Sequence, residues 1–431
     1  MKKKSVIIII VALCAAVLIG GAAVKLLRRN TPLPTEFSRD GFQWTRQGGT
    51  VTLTGEGVPG DLFETNRSVK TVVLGAGITG VSDTTFHGLE GLREITVAED
   101  NPSLSAADGV LFSKDKTALL YYPPARPGAE YTVPDGVTVI SDSAFAGQPL
   151  LRGVTMPEGL EEIRSHAFSG CEKLENARFP DSLRRVGDEA FADCAALKEL
   201  FFPTDLYAIG DRAFAGCAGL AAVTLPAGLK KLGECAFRGC AGVTAFAVEK
   251  GNTVFSAADG VLFRSGGRVL YQYPRGDARK TYAAPEGVEE IAYAAFEGCA
   301  LTKAALPDSL TKIGPAAFKD CAALTKAALP DHVTAIGDAA FSGCTALREV
   351  TLAKYLESIG IEAFFNCPQL KTVEVPFKVS FVGFRSLGYT ALFGSNKYTE
   401  GFLLRCREGS PAQSYAERYG VPYELVTEQP G

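Results

Sequence analysis

Histidine and tryptophan are scarce in this chain of 431 residues, which contains three histidines and a single tryptophan. The histidines, His87, His166 and His332, lie far apart, and none belongs to a Ser/His/Asp or Cys/His pattern. Histidine is the most frequent general base beside a catalytic nucleophile, so its scarcity argues against most nucleophilic chemistry. We therefore expect no catalytic residues and no enzymatic activity.

The chain also lacks an excess of basic residues. Its formal net charge is -4, and no run of Lys and Arg interleaved with aromatics follows the first thirty residues. A nucleic-acid-binding surface needs a broad positive field, so we expect no nucleic-acid partner. The remaining composition, 46% apolar and 21% charged, is ordinary for a globular chain with a large core.

The amino-terminal segment combines positive charges with an uncharged stretch. MKKK precedes residues 5–24, which carry no charge, and Lys25, Arg28 and Arg29 follow them. Twenty helical residues span roughly 30 Å, the thickness of a bilayer core. This pattern predicts a single-pass signal anchor with one transmembrane helix at residues 5–24, with the rest of the chain outside the cell. A cleaved signal peptide, which would make the protein secreted, is the alternative.

A repeat organises most of the chain. One unit reads L-x-x-I-G-x-x-A-F-x-G-C-x-x-L-x-x-V-x-L-P, and its phenylalanine recurs every 22 or 23 residues. Self-similarity at such a period is typical of solenoids and related repeat folds. The phenylalanines at this spacing are Phe168, Phe191, Phe214 and Phe237, followed by Phe296, Phe318, Phe341 and Phe364.

Two longer steps interrupt the period in the same way. The steps from Phe86 to Phe145 and from Phe237 to Phe296 are both 59 residues long. Each contains a similar insert, SAADGVLFSKDKTALLYYP at residues 105–123 and SAADGVLFRSGGRVLYQYP at residues 256–274, and the two inserts are 151 residues apart. One long step and four 23-residue steps also make 151 residues, which indicates that a block of five units was duplicated.

The two arms of a unit have different patterns. V-x-L alternates as a β-strand does, and proline followed by Asp, Glu or Gly ends it in a turn. The arm I-G-x-x-A-F-x-G-C buries Ile, Ala, Phe and Cys. One unit cannot cover its own apolar side, whereas stacked units bury it against each other and pair their strands about 4.8 Å apart. The sequence therefore predicts a mostly β solenoid with a parallel sheet and a row of stacked phenylalanines.

The unit resembles the BspA-type leucine-rich repeat of microbial surface proteins over residues 69–376. FQWTRQGGTVTLTGEG, around Trp44, is similar to the hairpin that opens such solenoids, and GSPAQSYAERYGVPYELV is similar to the strand-helix-strand unit that closes them. The latter also predicts a helix from its residues alone, with Ser410 as N-cap, Pro411 in the first turn and Gly420 as its end. The resemblance implies an α/β, mostly β, right-handed superhelix that serves as a surface-binding module.

These features predict the organisation of the whole chain. The segment from Phe377 to Arg405 fits no unit, and we expect an irregular or hairpin cap there. The predicted regions are the anchor or signal peptide at 1–30, a linker at 31–41, the N-terminal hairpin cap at 42–68, the leucine-rich repeat solenoid at 69–376 and the C-terminal cap at 377–431.

The segment GAGITG, from Gly75 to Gly80, matches the G-x-G-x-x-G pattern of dinucleotide-binding loops. Such a loop needs a helix directly after it and an acid about 20 residues later. Here the β-branched VSDTTF leads back into the repeat, and alignment with the next unit places Gly77 on the turn glycine Gly136. We interpret these glycines as turn positions and expect no small-molecule cofactor.

Eight of the eleven cysteines occupy one position of the repeat. In a stack they would lie about 5 Å apart, whereas a disulfide needs Cβ atoms about 3.8 Å apart. Their spacing, without histidine partners, does not resemble a C-x-x-C zinc site. We favour buried thiols and expect no metal, with disulfides or a metal site as the alternatives. The eight are Cys171, Cys194, Cys217, Cys240, Cys299, Cys321, Cys344 and Cys367.

Acidic residues follow the turn proline in six units. Stacked carboxylates could hold calcium. Pro-Asp and Pro-Glu are also good turn pairs, and we favour that interpretation. The six acids are Asp135, Glu158, Asp181, Glu286, Asp308 and Asp331.

The strand positions that alternate with the buried Val and Leu predict an exposed face of small residues and occasional charges. Phe201 is an aromatic residue within this face, although an isolated exposed apolar residue is also normal. We predict that a ligand contacts this face, with Arg178 and Phe201 together as one contact spot. The candidate contact residues are Arg178, Phe201, Thr224, Lys303, Lys326 and Thr351.

Two hypotheses about function follow. The first is a non-catalytic cell-surface protein that mediates recognition of, or adhesion to, a protein or glycan partner. The alternative is a passive structural component of the envelope, a spacer without a specific ligand. An enzyme has the least support, because no catalytic or cofactor pattern is present.

Overall fold

A computed structural model describes residues 35–63, 66–392 and 395–427. The expected membrane helix at residues 5–24 lies outside these residues. Within them, no helix has the length and the apolar character needed to cross a membrane. The chain divides into two compact units with a boundary between Lys173 and Leu174, and the described part of each is a mostly β solenoid.

The first unit opens with a five-stranded sheet of β1 Glu36–Arg39, β2 Phe42–Gln47, β3 Thr50–Thr54, β4 Thr71–Leu74 and β5 Glu94–Val97. The first three strands are antiparallel and the last three are parallel. The hairpin of β2 and β3 confirms the predicted N-terminal hairpin cap. The linker prediction for residues 31–41 is wrong for β1, because Phe37 stacks on the buried Trp44 and joins this segment to the cap.

An insert and two sets of parallel strands complete the first unit. They are β6 Leu104–Ala107, β7 Val110–Ser113, β8 Ala118–Tyr121, β9 Glu130–Thr132, β10 Val139–Ile140, β11 Gly153–Thr155 and β12 Glu162–Ile163. The insert strands β6, β7 and β8 are antiparallel. The two-residue strand β10 lies between β8 and β12 in one parallel ladder, and β9 pairs with β11 in another. Each coil thus contributes a short strand and a longer strand.

The second unit contains the same two kinds of strand and a second insert. They are β13 Asn176–Arg178, β14 Arg185–Val186, β15 Ala208–Ile209, β16 Ala222–Leu225, β17 Lys231–Leu232, β18 Ala245–Val248, β19 Phe255–Ala258, β20 Val261–Arg264, β21 Val269–Gln272, β22 Thr281–Ala283, β23 Glu290–Ile291, β24 Lys303–Ala305, β25 Lys312–Ile313, β26 Lys326–Ala328, β27 Ala335–Ile336, β28 Glu349–Thr351, β29 Ser358–Ile359, β30 Thr372–Glu374 and β31 Phe381–Val382. The insert strands β19, β20 and β21 are antiparallel.

Parallel ladders run through the second unit on two sides of each coil. The two-residue strands β23, β25, β27, β29 and β31 form one ladder, which starts on the insert strand β21, and the longer strands β22, β24, β26 and β28 form another. The V-x-L pattern predicted the longer strands. It did not predict the short ones, because two residues are too few to show an alternation.

The phenylalanines of the repeat form rows inside each unit, as predicted. In the first unit, the rings of Phe145 and Phe168 are stacked with centroids 4.7 Å apart. In the second unit, Phe296 and Phe318 are likewise 4.7 Å apart, and Phe214 and Phe237 are 5.5 Å apart. All of these rings are buried. Since the rings stack at about the spacing of paired strands, one row of aromatic packing stabilises each solenoid.

A turn with two left-handed residues recurs in the coils. The residue before Ala-Phe has a positive φ although it is not glycine, as at Ser143 with φ 57° and Glu189 with φ 53°. The residue two positions after Phe also has a positive φ, as at Gly170, Asp193 and Asn366. Glycine, asparagine and aspartate tolerate this conformation best. This explains why the motif A-F-x-G-C varies at that position only to Asp and Asn.

The end of the chain forms the predicted strand-helix-strand cap. Its elements are β32 Tyr389–Leu392, β33 Ser395–Tyr398, β34 Leu403–Cys406, α1 Pro411–Tyr419 and β35 Tyr423–Leu425. The side chain of Ser410 accepts a hydrogen bond from the Gln413 N–H, and Gly420 ends the helix with φ 67°. β34 pairs in parallel with β30 and with β35, so the cap forms a sheet with the last longer strand, separate from that of β22, β24, β26 and β28.

The repeat extends beyond the boundary predicted at residue 376. β31 pairs in parallel with β29, and the Phe364 N–H donates to the Ser386 carbonyl as in the preceding coils. The prediction missed this coil because Ser386-Leu387 replaces the usual Ala-Phe. Both residues are fully buried, so Leu387 fills the core position of the missing ring. The following β32 and β33 form the hairpin that was one of the two expectations for this segment.

Candidate functional site

The candidate contact residues lie in the second unit, on strands whose side chains alternate between the core and the solvent. In β13 and β26, the first and third side chains are exposed and the second is buried, as the period of a strand requires. The structure exposes all six candidate residues. Arg178 lies in β13, Thr224 in β16, Lys303 in β24, Lys326 in β26 and Thr351 in β28, whereas Phe201 lies outside any strand.

Lys303, Lys326 and Thr351 lie on neighbouring strands of one sheet. Lys303 is the register partner of Lys326, and Lys326 is the partner of Glu349, which lies two residues before Thr351. Lys326 Nζ is 2.5 Å from Glu349 Oε1, an exposed ion pair that contributes at most about 1 kcal/mol. Lys303 has no carboxylate partner among the described residues. This part of the face therefore presents an ammonium group, an ion pair and a hydroxyl in sequence.

Phe201 is the most exposed large apolar side chain of the described residues, with 69% of its surface accessible. It lies at the rim of a shallow depression of about 430 Å³. Thr224, Glu199 and Glu249 also line this depression. The structure thus brings Phe201 and Thr224 together at one depression, which Arg178 does not line. An aromatic ring beside hydroxyl and carboxylate groups can contact both the apolar and the polar sides of a ligand.

The depression exists because one coil lacks its longer strand. Residues 199–202, ELFF, form no strand, although the V-x-L pattern predicted one there. Phe179 and Phe202 occupy the leucine position of the motif, and their rings are stacked with centroids 5.7 Å apart. The strand is thus missing in a coil that has a phenylalanine ring where the motif has leucine.

Phe202 and Glu249 are the site residues that sequence reasoning missed. Phe202 lines the depression beside Phe201, and Glu249 Oε2 accepts a hydrogen bond of 3.0 Å from the Ala227 N–H. The available signal for Phe202 was the doublet Phe201-Phe202, which stands where the V-x-L pattern of other units has a small residue and leucine. Glu249 was not recognisable, because it lies within the 59-residue step between Phe237 and Phe296, where the repeat pattern is interrupted.

The segment GAGITG forms a turn of the solenoid, as interpreted. It follows β4 directly, and no helix follows it, because α1 near the C-terminus is the one helix of the described residues. A Cβ atom on Gly77 would lie 2.3 Å from the carbonyl oxygen of Gly55. Glycine is therefore required at this position because two coils approach each other closely. The Gly75 N–H donates to the Leu53 carbonyl at 2.8 Å, which ties the turn to the preceding coil.

The cysteines of the repeat are buried free thiols, as favoured. Cys171 Sγ donates to the Phe145 carbonyl at 3.0 Å, and Cys344 Sγ donates to the Phe318 carbonyl at 3.1 Å. Burial raises the pKa of Cys240, Cys321 and Cys367 to about 12. These thiols are therefore neutral at physiological pH, and neutral thiols are poor nucleophiles and poor metal ligands.

The acids after the turn prolines and the histidines are on the surface. Each of these acids is exposed, and a main-chain bond to the proline carbonyl closes each turn, as from the Leu160 N–H to Pro157 at 3.1 Å. His87, His166 and His332 are also exposed. Over the described ranges, no group of three His, Cys, Asp or Glu side chains is placed to hold a metal ion.

Comparisons with known proteins agree with this architecture. The family model described as the BspA type leucine rich repeat region matches six copies over residues 129–244 and 278–392, more than half of the chain. It does not match residues 245–277, which contain the second insert. No curated protein matches the chain.

Two solved structures share the fold at low sequence identity. The pneumococcal vaccine antigen PcpA is 22% identical with a TM-score of 0.63, and the alignment covers 93% of this chain and 100% of that one. A leucine rich cell surface protein from Faecalibacterium prausnitzii is 23% identical with a TM-score of 0.55, over 85% of this chain and 97% of that one. At this identity the similarity concerns the fold alone.

Proposed function

Because the chain belongs to the BspA-type leucine-rich repeat family, we propose that it is a non-catalytic recognition protein of the cell surface. Its longer-strand face in the second unit binds a protein or glycan partner. A segment at residues 5–24 anchors it in the membrane with the repeats outside the cell; export without an anchor is the alternative. The charges around that segment support this location, as does the description of one structurally similar protein as a cell surface protein.

The exposed ring of Phe201 beside its depression is the observation that carries the proposal. Aromatic side chains dominate the energetics of many recognition surfaces, because a rigid ring buries a large area at little entropic cost. Thr224 and Glu199 supply hydrogen-bonding groups next to the ring. Lys303, Lys326 and Thr351 add further polar contacts along the sheet. Together they provide an apolar anchor with polar neighbours, which suits a folded protein surface or a sugar chain.

A binding screen with matched variants tests this proposal. The purified protein is applied to matrix proteins, glycans and bacterial cells, and any saturable binding is measured for Phe201→Ala. We expect a loss of affinity of about tenfold or more, as for an aromatic residue at the centre of an interface. Lys303→Ala should cause a smaller loss, because its ammonium group lies on an exposed strand face.

Phe381→Ala is the control. Phe381 is also more than half exposed, at 53%, but it lies on the ladder of short strands. Equal effects of the two substitutions, or uniform absence of saturable binding, would count against recognition by the longer-strand face. Uniform absence would instead favour a passive spacer of the envelope.

A further inference from the structure

A cavity of about 360 Å³ lies beside the insert of the second unit. Two ladders of short strands end here without joining: β17 pairs with β15, β21 pairs with β20 and β23, and β17 and β21 lie in different sheets. Tyr271 bridges this gap: its hydroxyl lies 2.9 Å from the carbonyl oxygens of both Leu232 and Gly233. A side chain therefore joins the two coils where their main chains stay apart, which leaves the cavity open.

Three arginines line the cavity, and one of them is already paired. Arg238 donates two hydrogen bonds to the carboxylate of Glu297, both of 2.5 Å. Arg264 and Arg275 have no carboxylate partner within the described part of the chain. Two guanidinium groups therefore remain for another acceptor.

The positions of these two guanidinium groups are set by their neighbours. Arg264 Cζ lies 5.3 Å from the centre of the Tyr271 ring. Its Nε is buried, and the described residues offer it no hydrogen-bond acceptor. A buried donor without an acceptor costs about 1–3 kcal/mol. Arg275 lies against Gly298, where a Cβ atom would come within 2.9 Å of its Cζ, so the glycine leaves space for the guanidinium group.

The other charges in the cavity neutralise only part of the charge of these arginines. Glu290 Oε1 is 2.9 Å from Lys312 Nζ, so this pair is balanced. Glu234 also lines the cavity and opposes one of the two unpaired guanidinium groups. Burial raises the pKa of the Cys235 thiol to about 11, so it carries no charge at physiological pH. With four Arg and Lys side chains against three Glu in its lining, the cavity keeps an excess of one positive charge.

The first copy of the duplicated block has a different set of residues at these positions. In the first copy, Tyr121 occupies the position of Gln272. Its ring packs into the space between coils, with its centroid 4.6 Å from that of Phe86. The first copy therefore has neither the free arginines nor the same open space. At the offset of 151 residues, Ser113 corresponds to Arg264, Pro124 to Arg275, His87 to Arg238 and Tyr121 to Gln272.

We propose that this cavity binds a small oxyanion, a carboxylate or phosphate group on a molecule about as large as a monosaccharide, through Arg264 and Arg275. Guanidinium groups bind both kinds of oxyanion through paired, charge-assisted hydrogen bonds. The volume lies at the lower end of the range of small-molecule sites. Such a ligand supplies the missing acceptor for Arg264. This site is separate from the longer-strand face and does not depend on the function proposed for it.

Calorimetric titration of the full-length protein tests the proposal. Inorganic phosphate and glucuronate are the anionic probes, and glucose at the same ionic strength is the neutral control. We expect saturable binding of at least one anion and none of glucose. Arg264→Ser, which introduces the first copy's residue, should weaken binding about tenfold, the effect of losing one charge-assisted hydrogen bond. Gln272→Tyr should abolish binding by filling the cavity while keeping every charge.

Arg268→Ser is the matched control, because Arg268 is exposed on the same insert and does not line the cavity. Binding of phosphate alone would assign a phosphate ligand, and binding of glucuronate alone would assign a carboxylated sugar. Absence of saturable binding of both anions, or equal binding of glucose, would overturn the proposal. Unchanged binding in Gln272→Tyr would also overturn it. This variant tests the proposal even if Arg264→Ser does not fold.

Discussion

The two inserts start with the same eight residues, SAADGVLF, and fold in the same way. In the first, the turn residues Asp108 and Gly109 have φ values of 47° and 75°; in the second, Asp259 and Gly260 have 50° and 77°. A two-residue Asp-Gly loop with two positive φ values matches the twist of a hairpin. The strands on either side pair in the same register. This part of each insert is therefore determined by its local sequence.

The inserts differ where their last strand faces the neighbouring coil. In the first, Tyr121 packs on Phe86 and belongs to the edge of the core. In the second, Gln272 lines the cavity beside Phe237. The duplicated block thus kept its turns and its register, but the side chains between the two coils differ: Leu120 and Tyr121 of the first copy correspond to Tyr271 and Gln272 of the second. Repeats of nearly equal sequence can in this way carry a packed core in one copy and an open site in the other.

Exchanging Tyr121 and Gln272 should give the largest difference in stability between the two copies. Tyr121→Gln removes a ring from the core edge and should lower the free energy of unfolding by about 2 kcal/mol or more, as for other large-to-small core changes. Gln272→Tyr should leave it unchanged or raise it slightly, because the new ring fills an existing cavity. Urea denaturation followed by circular dichroism measures both. A similar loss in both variants would show that the two positions are equivalent after all.

A smaller difference is expected at the asparagine that precedes each insert. Asn101 donates to the Gly75 and Ile78 carbonyls at 2.8 Å and accepts from two main-chain N–H groups, and it is fully buried. Asn252 makes the equivalent four bonds but is only half-buried. Asn101→Ala should therefore cost about 3 kcal/mol and Asn252→Ala about half of that, since water can replace lost partners only at the second site. The same denaturation experiment compares them, and a larger loss for Asn252→Ala would contradict the role given to burial.

The smallest effect concerns a pair of tyrosines that should behave alike at high pH. Burial raises the pKa of Tyr131 and of Tyr282 to about 12, whereas a tyrosine in the unfolded chain ionises near 10. The neutral phenols therefore stabilise the folded state fully below pH 10, and this contribution is lost as the pH rises from about 10 to about 12. Tyr131→Phe and Tyr282→Phe should each make the melting temperature fall less steeply over that range. A change in only one variant would reveal a difference between the copies that their geometry does not show.

Much of the fold was predictable because its information is local and repeated. The period predicted the phenylalanine rows of each unit, the buried thiols and the turns after proline. Capping residues predicted α1, and Gly48-Gly49 lies between the two strands of the predicted hairpin. The candidate face was predictable only in part. Alternation identified its exposed residues, but not the missing strand at 199–202 or the depression beside Phe201.

The sequence by itself determined the coil, its repetition and which side of each arm is apolar, because these follow from spacings within one unit and from residues that tolerate positive φ. Only the tertiary structure decided where neighbouring coils part. Residues 199–202 form no strand although their unit carries the motif, and Gln272 lines a cavity where the first copy has the packed ring of Tyr121. Both outcomes depend on side chains of different coils that meet between them, and no pattern inside a single unit specifies those contacts.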